Sequence, residues 1–264
     1  MNQIIKNKKE LISSLPLSEH NIITIVGAGG KTTLLYTLAE ELSKTGQKVL
    51  FTTTTHIARP SESSHPQWFL LEEENEDILY EGFCNHSVVG LGIPVNKSKT
   101  CNPTKSSIIK KWSSPSLSFL EKIHSIPDYI ICEGDGSKRL PIKIPREKEP
   151  VLFPYTQMVL GVIGLSCLGQ PLEQSLFGWQ APENQNYFHT LLATTQGINH
   201  KITADTLFEI ATSFQGLLKS TEDIPIHVIL NQADLLSEQM LAEIKLTAKK
   251  IRDNGINCHI VSLI

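Results

Sequence analysis

The residues able to do chemistry gather first at Gly27–Thr33, which read GAGGKTT. Gly27, Gly29 and Gly30 free the backbone to curl, so that successive N–H groups can aim at one anion. A helix opening near Thr32 would add the partial positive charge of its N-terminus. Lys31 is placed to reach the β- and γ-phosphates of a nucleotide, and the Thr32 hydroxyl to take a position on Mg²⁺, with Thr33 beside it. The full phosphate-cradling signature G-x-x-x-x-G-K-[ST] would begin with glycine at position 25, where Ile25 stands. The half that handles phosphate survives.

A second feature is Asp128–Asp135 (DYIICEGD), an apolar run that ends in Glu133 and Asp135. Two carboxylates two residues apart project to the same side of an extended chain, so they can share one cation. At the C-terminal end of a strand they would face the crevice where α/β sheets bind ligands. Lys31, Glu133 and Asp135 are therefore the candidate catalytic residues, and Thr32, Glu133 and Asp135 the candidate metal ligands. An Asp-Gly turn closing a hairpin is the structural alternative.

Three further stretches carry polar chemistry. Gly136–Pro150 (GSKRLPIKIPREKEP) packs Lys138, Arg139, Lys143, Arg146 and Lys148 into one basic, proline-stiffened segment. It would attract the triphosphate or an anionic second substrate, or else be a solvated loop. Thr52–His56 (TTTTH) follows a strand, so its hydroxyls could line the site and His56 could act as ligand or proton carrier; β-propensity explains the threonines equally well. Asn231-Gln232-Ala233-Asp234 follows the strand IHVIL and is similar to the N-K-x-D motif that reads guanine. There the aspartate accepts from groups adenine lacks, while Asn231 would tie its loop to the glycine turn. Gly27, Gly29, Gly30, Lys31, Thr32, Thr33, Asn231 and Asp234 make up the candidate nucleotide-binding set.

The elements that must position these groups alternate. Short apolar runs at 21–26, 48–52, 129–132, 158–163, 226–230 and 258–261 read as strands covered on both faces. Helical periodicity runs through Leu34, Leu35, Leu38, Ala39 and Leu42, then over 204–218 and 237–253. Strands alternating with helices predict an α/β fold, a mostly parallel sheet with helices on both faces, and the glycine turn between strand and helix makes that expectation P-loop NTPase-like. The whole of 1–264 reads as a single nucleotide-binding domain. The pattern weakens at about 60–127, read as surface loops with one or two peripheral elements.

Composition sets the outer bounds. The chain has 264 residues, 40% of them apolar and 19% charged, with net charge −3, which argues against nucleic acid or an anionic membrane as partner. No apolar stretch approaches the ~20 residues of a membrane helix, and the lysine-bearing N-terminus lacks an apolar segment behind it. Five scattered cysteines without a CxxC point away from disulfides and zinc. A cytoplasmic protein is expected.

VGAGGKTT, TTTTH, EGDGSKRLPIKIPREKEPV, GLSCLGQPL and LNQAD, in that order, resemble the YqeC-type family over about Ile22 to Leu236. The most specific piece is E-x-D-G-S-K-x-x-P-I-K-x-P-x-x-x-E-P, Glu133–Pro150. The resemblance implies a P-loop accessory protein for maturation of selenium-dependent molybdenum hydroxylases; the residues themselves add the expectation that it binds and hydrolyses a nucleoside triphosphate with Mg²⁺, GTP slightly favoured over ATP. A molybdenum-cofactor enzyme or an anionic cofactor precursor would be its partner. The shortened glycine turn also resembles that of Mur-type ligases, which leaves a small-molecule kinase, an ATP-dependent ligase or a non-hydrolysing nucleotide-binding regulator as alternatives.

Overall fold

The computed structural model describes residues 4–95 and 111–262. Nine strands form one sheet: β1 (Ile4–Ile5), β2 (Ile22–Gly27), β3 (Val49–Thr53), β4 (Phe69–Leu71), β5 (Val88–Leu91), β6 (Tyr129–Glu133), β7 (Met158–Gly164), β8 (Ile226–Asn231) and β9 (Asn257–Val261). Their order across the sheet is β1-β9-β8-β7-β2-β6-β3-β5-β4, and every neighbouring pair is parallel. β2 sits between β6 and β7. The chain leaves β2 toward β3 on one side and comes back at β7 on the other, so the strand order reverses there. Such a reversal opens a crevice at the carboxyl ends of the strands.

Helices cover both faces because the strands are apolar on both. Along β2, Ile23 and Ile25 join a cluster with Leu34, Leu35 and Leu38 of α2 (Lys31–Ser43) and Leu11 of α1 (Lys8–Ser14). Ile22 and Val26 face the other way. Ile22 packs with Leu79 and Phe83 of α3 (Glu76–Asn85) and Leu120 and Ile123 of α4 (Leu117–Ile123). Val26 joins Tyr187 and Leu191 of α5 (Gln185–Leu192), Leu207 and Ile210 of α6 (Ala204–Thr212) and Ile244 and Ile251 of α7 (Glu238–Asp253). The helix starts follow from side-chain caps. Ser237 accepts from Met240 N–H ahead of α7, and Thr203 forms a reciprocal capping box with Thr206 ahead of α6.

Two elements differ from the sequence expectation. The helix expected over 204–218 stops at Thr212, because the chain folds back and Leu217 N–H bonds to Ile210 O. Segment 60–127 contributes more than loops: β4 and β5 extend the sheet, and α3 and α4 cover them. Lys111–Ser113 pairs antiparallel with both His56–Ala58 and Ile93–Pro94. Residues 96–110, with Cys101, lie outside the described residues. Among the described residues no helix is long and apolar enough to cross a membrane.

Candidate functional site

The glycine turn is built at the reversal. β2 ends at Gly27 with φ +90°, and Gly29 and Gly30 follow at +84° and +122°, a region that side chains disfavour. Space forbids a side chain as well. A Cβ on Gly29 would lie 2.3 Å from the Gly164 backbone at the end of β7, and one on Gly30 would lie 2.2 Å from Asn231 Nδ2. α2 then begins at Lys31 with no side chain capping its first N–H groups. An uncapped helix start attracts negative charge.

Lys31 is 4% exposed. Its ammonium donates to Gly27 O at 2.7 Å and stands 3.2 Å from Asp135 Oδ1 and 3.7 Å from Glu133 Oε1. β6 is hydrogen-bonded alongside β2, with Ile25 opposite Glu133, and this register brings both carboxylates to the lysine. The Asp135 contact is an ion pair without hydrogen-bond alignment. The other oxygen of Asp135 accepts from Gly27 N–H at 3.1 Å and faces Lys143 Nζ at 3.0 Å. Glu133 accepts the Thr32 hydroxyl at 2.7 Å. Burial raises the Glu133 carboxyl above its ordinary pKa, with Lys31 and the Thr32 hydroxyl pulling the other way.

A cavity of about 600 Å³ opens over this cluster. Gly29, Gly30, Lys31, Thr32, Thr33 and Glu133 line it. Gly27 and Asp135 lie behind that lining and shape it through their mutual hydrogen bond. Asn231 donates from Nδ2 to Gly29 O at 3.0 Å, tying the end of β8 to the turn. Asp234 is exposed, stands outside the cavity lining and accepts from the Ser262 hydroxyl at 2.9 Å. His56 also lines the cavity.

The threonine run divides. Thr52 and Thr53 spend their hydroxyls on Leu91 O and Glu133 O inside the sheet, so they do not line the site as the sequence suggested. Thr55 does, and its buried hydroxyl has no hydrogen-bond partner among the described residues.

One residue was missed by sequence reasoning. Lys143 reads only as part of a basic segment that would attract an anion or else be solvated, yet it is 1% exposed, paired with Asp135 and with Glu149 Oε2 at 2.8 Å, and bonded to Gly136 O. Its position between Ile142 and Ile144, both buried, was the available signal.

The oxygen donors would suit a hard cation. Thr32 and Glu133 offer oxygens at the cavity, whereas Asp135 is occupied by two lysines. Among the described residues no group of three His, Cys, Asp or Glu side chains could hold a metal by itself. Mg²⁺ is commonly held by one or two protein oxygens plus phosphates and water, and Thr32 and Glu133 offer two such protein oxygens.

Comparison with known proteins adds the relationship. The chain is 34% identical over 155 residues to a protein of Escherichia coli (strain K12) named "Uncharacterized protein YqeC". The match covers 56% of this chain and 53% of that protein, so the chain matches about half the length of this relative. A profile of the YqeC protein family matches residues 23–180, a span that holds the glycine turn, both carboxylates and Lys143 but not Asn231 or Asp234. By that match over more than half its length, the chain belongs to the YqeC family.

Proposed function

We propose that this protein binds a magnesium nucleoside triphosphate at the Gly27–Thr33 turn and hydrolyses it. The observation that carries this is the cluster at the head of α2: Lys31 between Glu133 and Asp135, and Thr32 on Glu133. The triphosphate would take the place of Glu133 as partner of Lys31, with backbone N–H groups of the turn and the uncapped helix start taking the remaining charge. Thr32 and Glu133 would hold Mg²⁺, which neutralises charge as the phosphoryl group leaves. Asp135, fixed by Gly27 N–H and Lys143, keeps the turn and Lys31 in register. The sheet order supports the P-loop NTPase reading, since the glycine-turn strand lies beside the carboxylate-bearing strand.

The likeness of Asn231–Asp234 to the guanine-reading motif is the ground for preferring guanine over adenine; Asn231 ties this loop to the turn, and Asp234 is bonded to Ser262. In the cell we place this activity in the maturation of selenium-dependent molybdenum hydroxylases, with the hydroxylase or an anionic cofactor precursor as client. Incubation with [γ-³²P]GTP and [γ-³²P]ATP, with Mg²⁺ and with EDTA, tests the reading. Metal-dependent release of labelled phosphate, lost in Lys31→Ala, is expected. Failure of both nucleotides to bind would overturn it.

A further inference from the structure

We propose that the cavity accommodates a second ligand beside the nucleotide: a phosphorylated small molecule gripped by Lys138, Arg139 and Arg146. The inference rests on the nucleotide reading for the neighbouring half of the site.

Ser137–Leu140 is a tight turn closed by Leu140 N–H on Ser137 O at 2.9 Å. Both of its central residues have left-handed backbones, Lys138 at φ +49° and Arg139 at φ +66°. A turn with positive φ at both central positions strongly prefers Asn-Gly. A side chain in that region is strained, and such strain gathers at functional sites. Here both positions carry long cations, and both line the cavity.

The turn is held in place at its end. Pro141 O accepts Gly164 N–H at 2.8 Å, and Gly164 is the residue against which Gly29 packs. The basic turn and the glycine turn therefore brace on the same strand end.

Arg146 completes the wall. Its guanidinium lies 4.6 Å from the Phe177 ring centre, and Lys138 Nζ lies 5.9 Å from the same ring. An aromatic face holds cations without neutralising them as a carboxylate would. Lys143, also near that ring at 5.2 Å, is neutralised by Asp135 and Glu149. Lys138, Arg139 and Arg146 are exposed, line the cavity and form no salt bridge among the described residues. The triphosphate already has Lys31, the turn and the helix start. A forked guanidinium pair with a lysine suits the several oxygens of a phosphate monoester.

The test is calorimetric titration of inorganic phosphate into protein saturated with Mg²⁺ and a non-hydrolysable GTP or ATP analogue. Wild-type protein should bind phosphate saturably. The double variant Lys138→Asn/Arg139→Gly, which installs the pair the turn prefers, should bind it at least tenfold more weakly. Its nucleotide affinity should stay within about twofold and its melting temperature should be unchanged or higher. No saturable binding by wild type up to about 10 mM phosphate, or equal binding by the variant, would overturn the proposal. So would a parallel loss of nucleotide affinity, which would assign the wall to the triphosphate. Should wild type bind no nucleotide, the nucleotide reading fails alone. The phosphate titration is then run on Lys31→Ala protein, where loss in the triple variant supports the wall and retention refutes it.

Discussion

The Thr32 hydroxyl donates to Glu133 Oε2 across 2.7 Å, joining the second residue of α2 to the last residue of β6. The two residues are far apart in the chain and meet only because β2 and β6 are neighbours in register. This contact places a hydroxyl and a carboxylate oxygen together at the foot of the cavity, where a divalent cation would need both.

Glu133→Gln should separate metal function from stability. Gln can still accept the Thr32 hydroxyl, but it carries no charge for Mg²⁺. We expect Mg²⁺-dependent turnover to fall by about tenfold or more, a cost of at least ~1.4 kcal/mol in transition-state binding. Because burial raises the Glu133 pKa, the stability it contributes is complete below the ordinary carboxylate range and is lost as pH rises through the elevated value. The Gln variant should therefore melt at the same temperature as wild type in acid and higher than wild type near neutrality. Scanning calorimetry across pH checks the sign.

Asp135→Asn should behave in the opposite way. Asp135 compensates two buried ammonium groups, Lys31 and Lys143. Breaking a buried ion pair by removing one partner costs about 3–5 kcal/mol. A urea melt should show that loss, and an unchanged midpoint would contradict the burial of the cluster.

Lys31→Ala should weaken nucleoside triphosphate binding at least tenfold, roughly 1.4 kcal/mol, by titration calorimetry. It should also lower stability, since Glu133 and Asp135 lose their shared cation. Lys31→Ala/Glu133→Gln should recover part of that stability without recovering the affinity.

If Asp234 reads the base, GTP should bind at least tenfold tighter than ATP, since a charge-assisted pair of hydrogen bonds is worth roughly 1.5–3 kcal/mol. Asp234→Asn should lower GTP affinity and shift preference toward XTP. Ser262→Ala, which removes the donor to Asp234 Oδ1, should give a smaller loss of the same kind. Equal affinities of wild type for GTP and ATP would end the guanine assignment.

Acid sensitivity should come from a histidine pair remote from the turn. His227 in β8 and His259 in β9 stack with ring centres 5.3 Å apart and share a hydrogen bond of 3.0 Å between Nδ1 and Nε2. Burial holds both down at about 4. Their stabilising contribution is complete above the ordinary histidine pKa of ~6.5 and is lost as pH falls from there through about 4. Between pH 7 and pH 5 the protein should lose on the order of 2 kcal/mol, and His227→Gln should flatten that slope.

The glycine turn was legible because glycine spacing, a lysine and a change of period from strand to helix fall within a few residues. Glu133 was legible because it ends an uninterrupted apolar run. Burial of the cations was not. Lys31 and Lys143 are enclosed by carboxylates brought from other segments, and no local pattern announces such a pairing. The edge strands escaped for another reason. β4 and β5 have three and four residues, too few for a periodicity, and β5 is broken by Gly90, where a Cβ would strike the Phe51 ring at 2.2 Å. Asp234 could be read as a motif, with the serine of the final HIVSL run expected beside it, and Ser262 does bond to Asp234.

The parallel sheet also has a consequence for synthesis on the ribosome. β2 is made early, yet both of its neighbours, β6 and β7, come much later, and Ile4 of β1 pairs with Ile260 of β9. Until Gly164 has emerged, the glycine turn lacks the strand end it packs against, and until β8 has followed, Gly29 lacks the Asn231 amide. A nascent chain halted before residue 164 would present β2 with an open edge on the β7 side, a hazard for aggregation that translation speed and chaperone capture would have to manage.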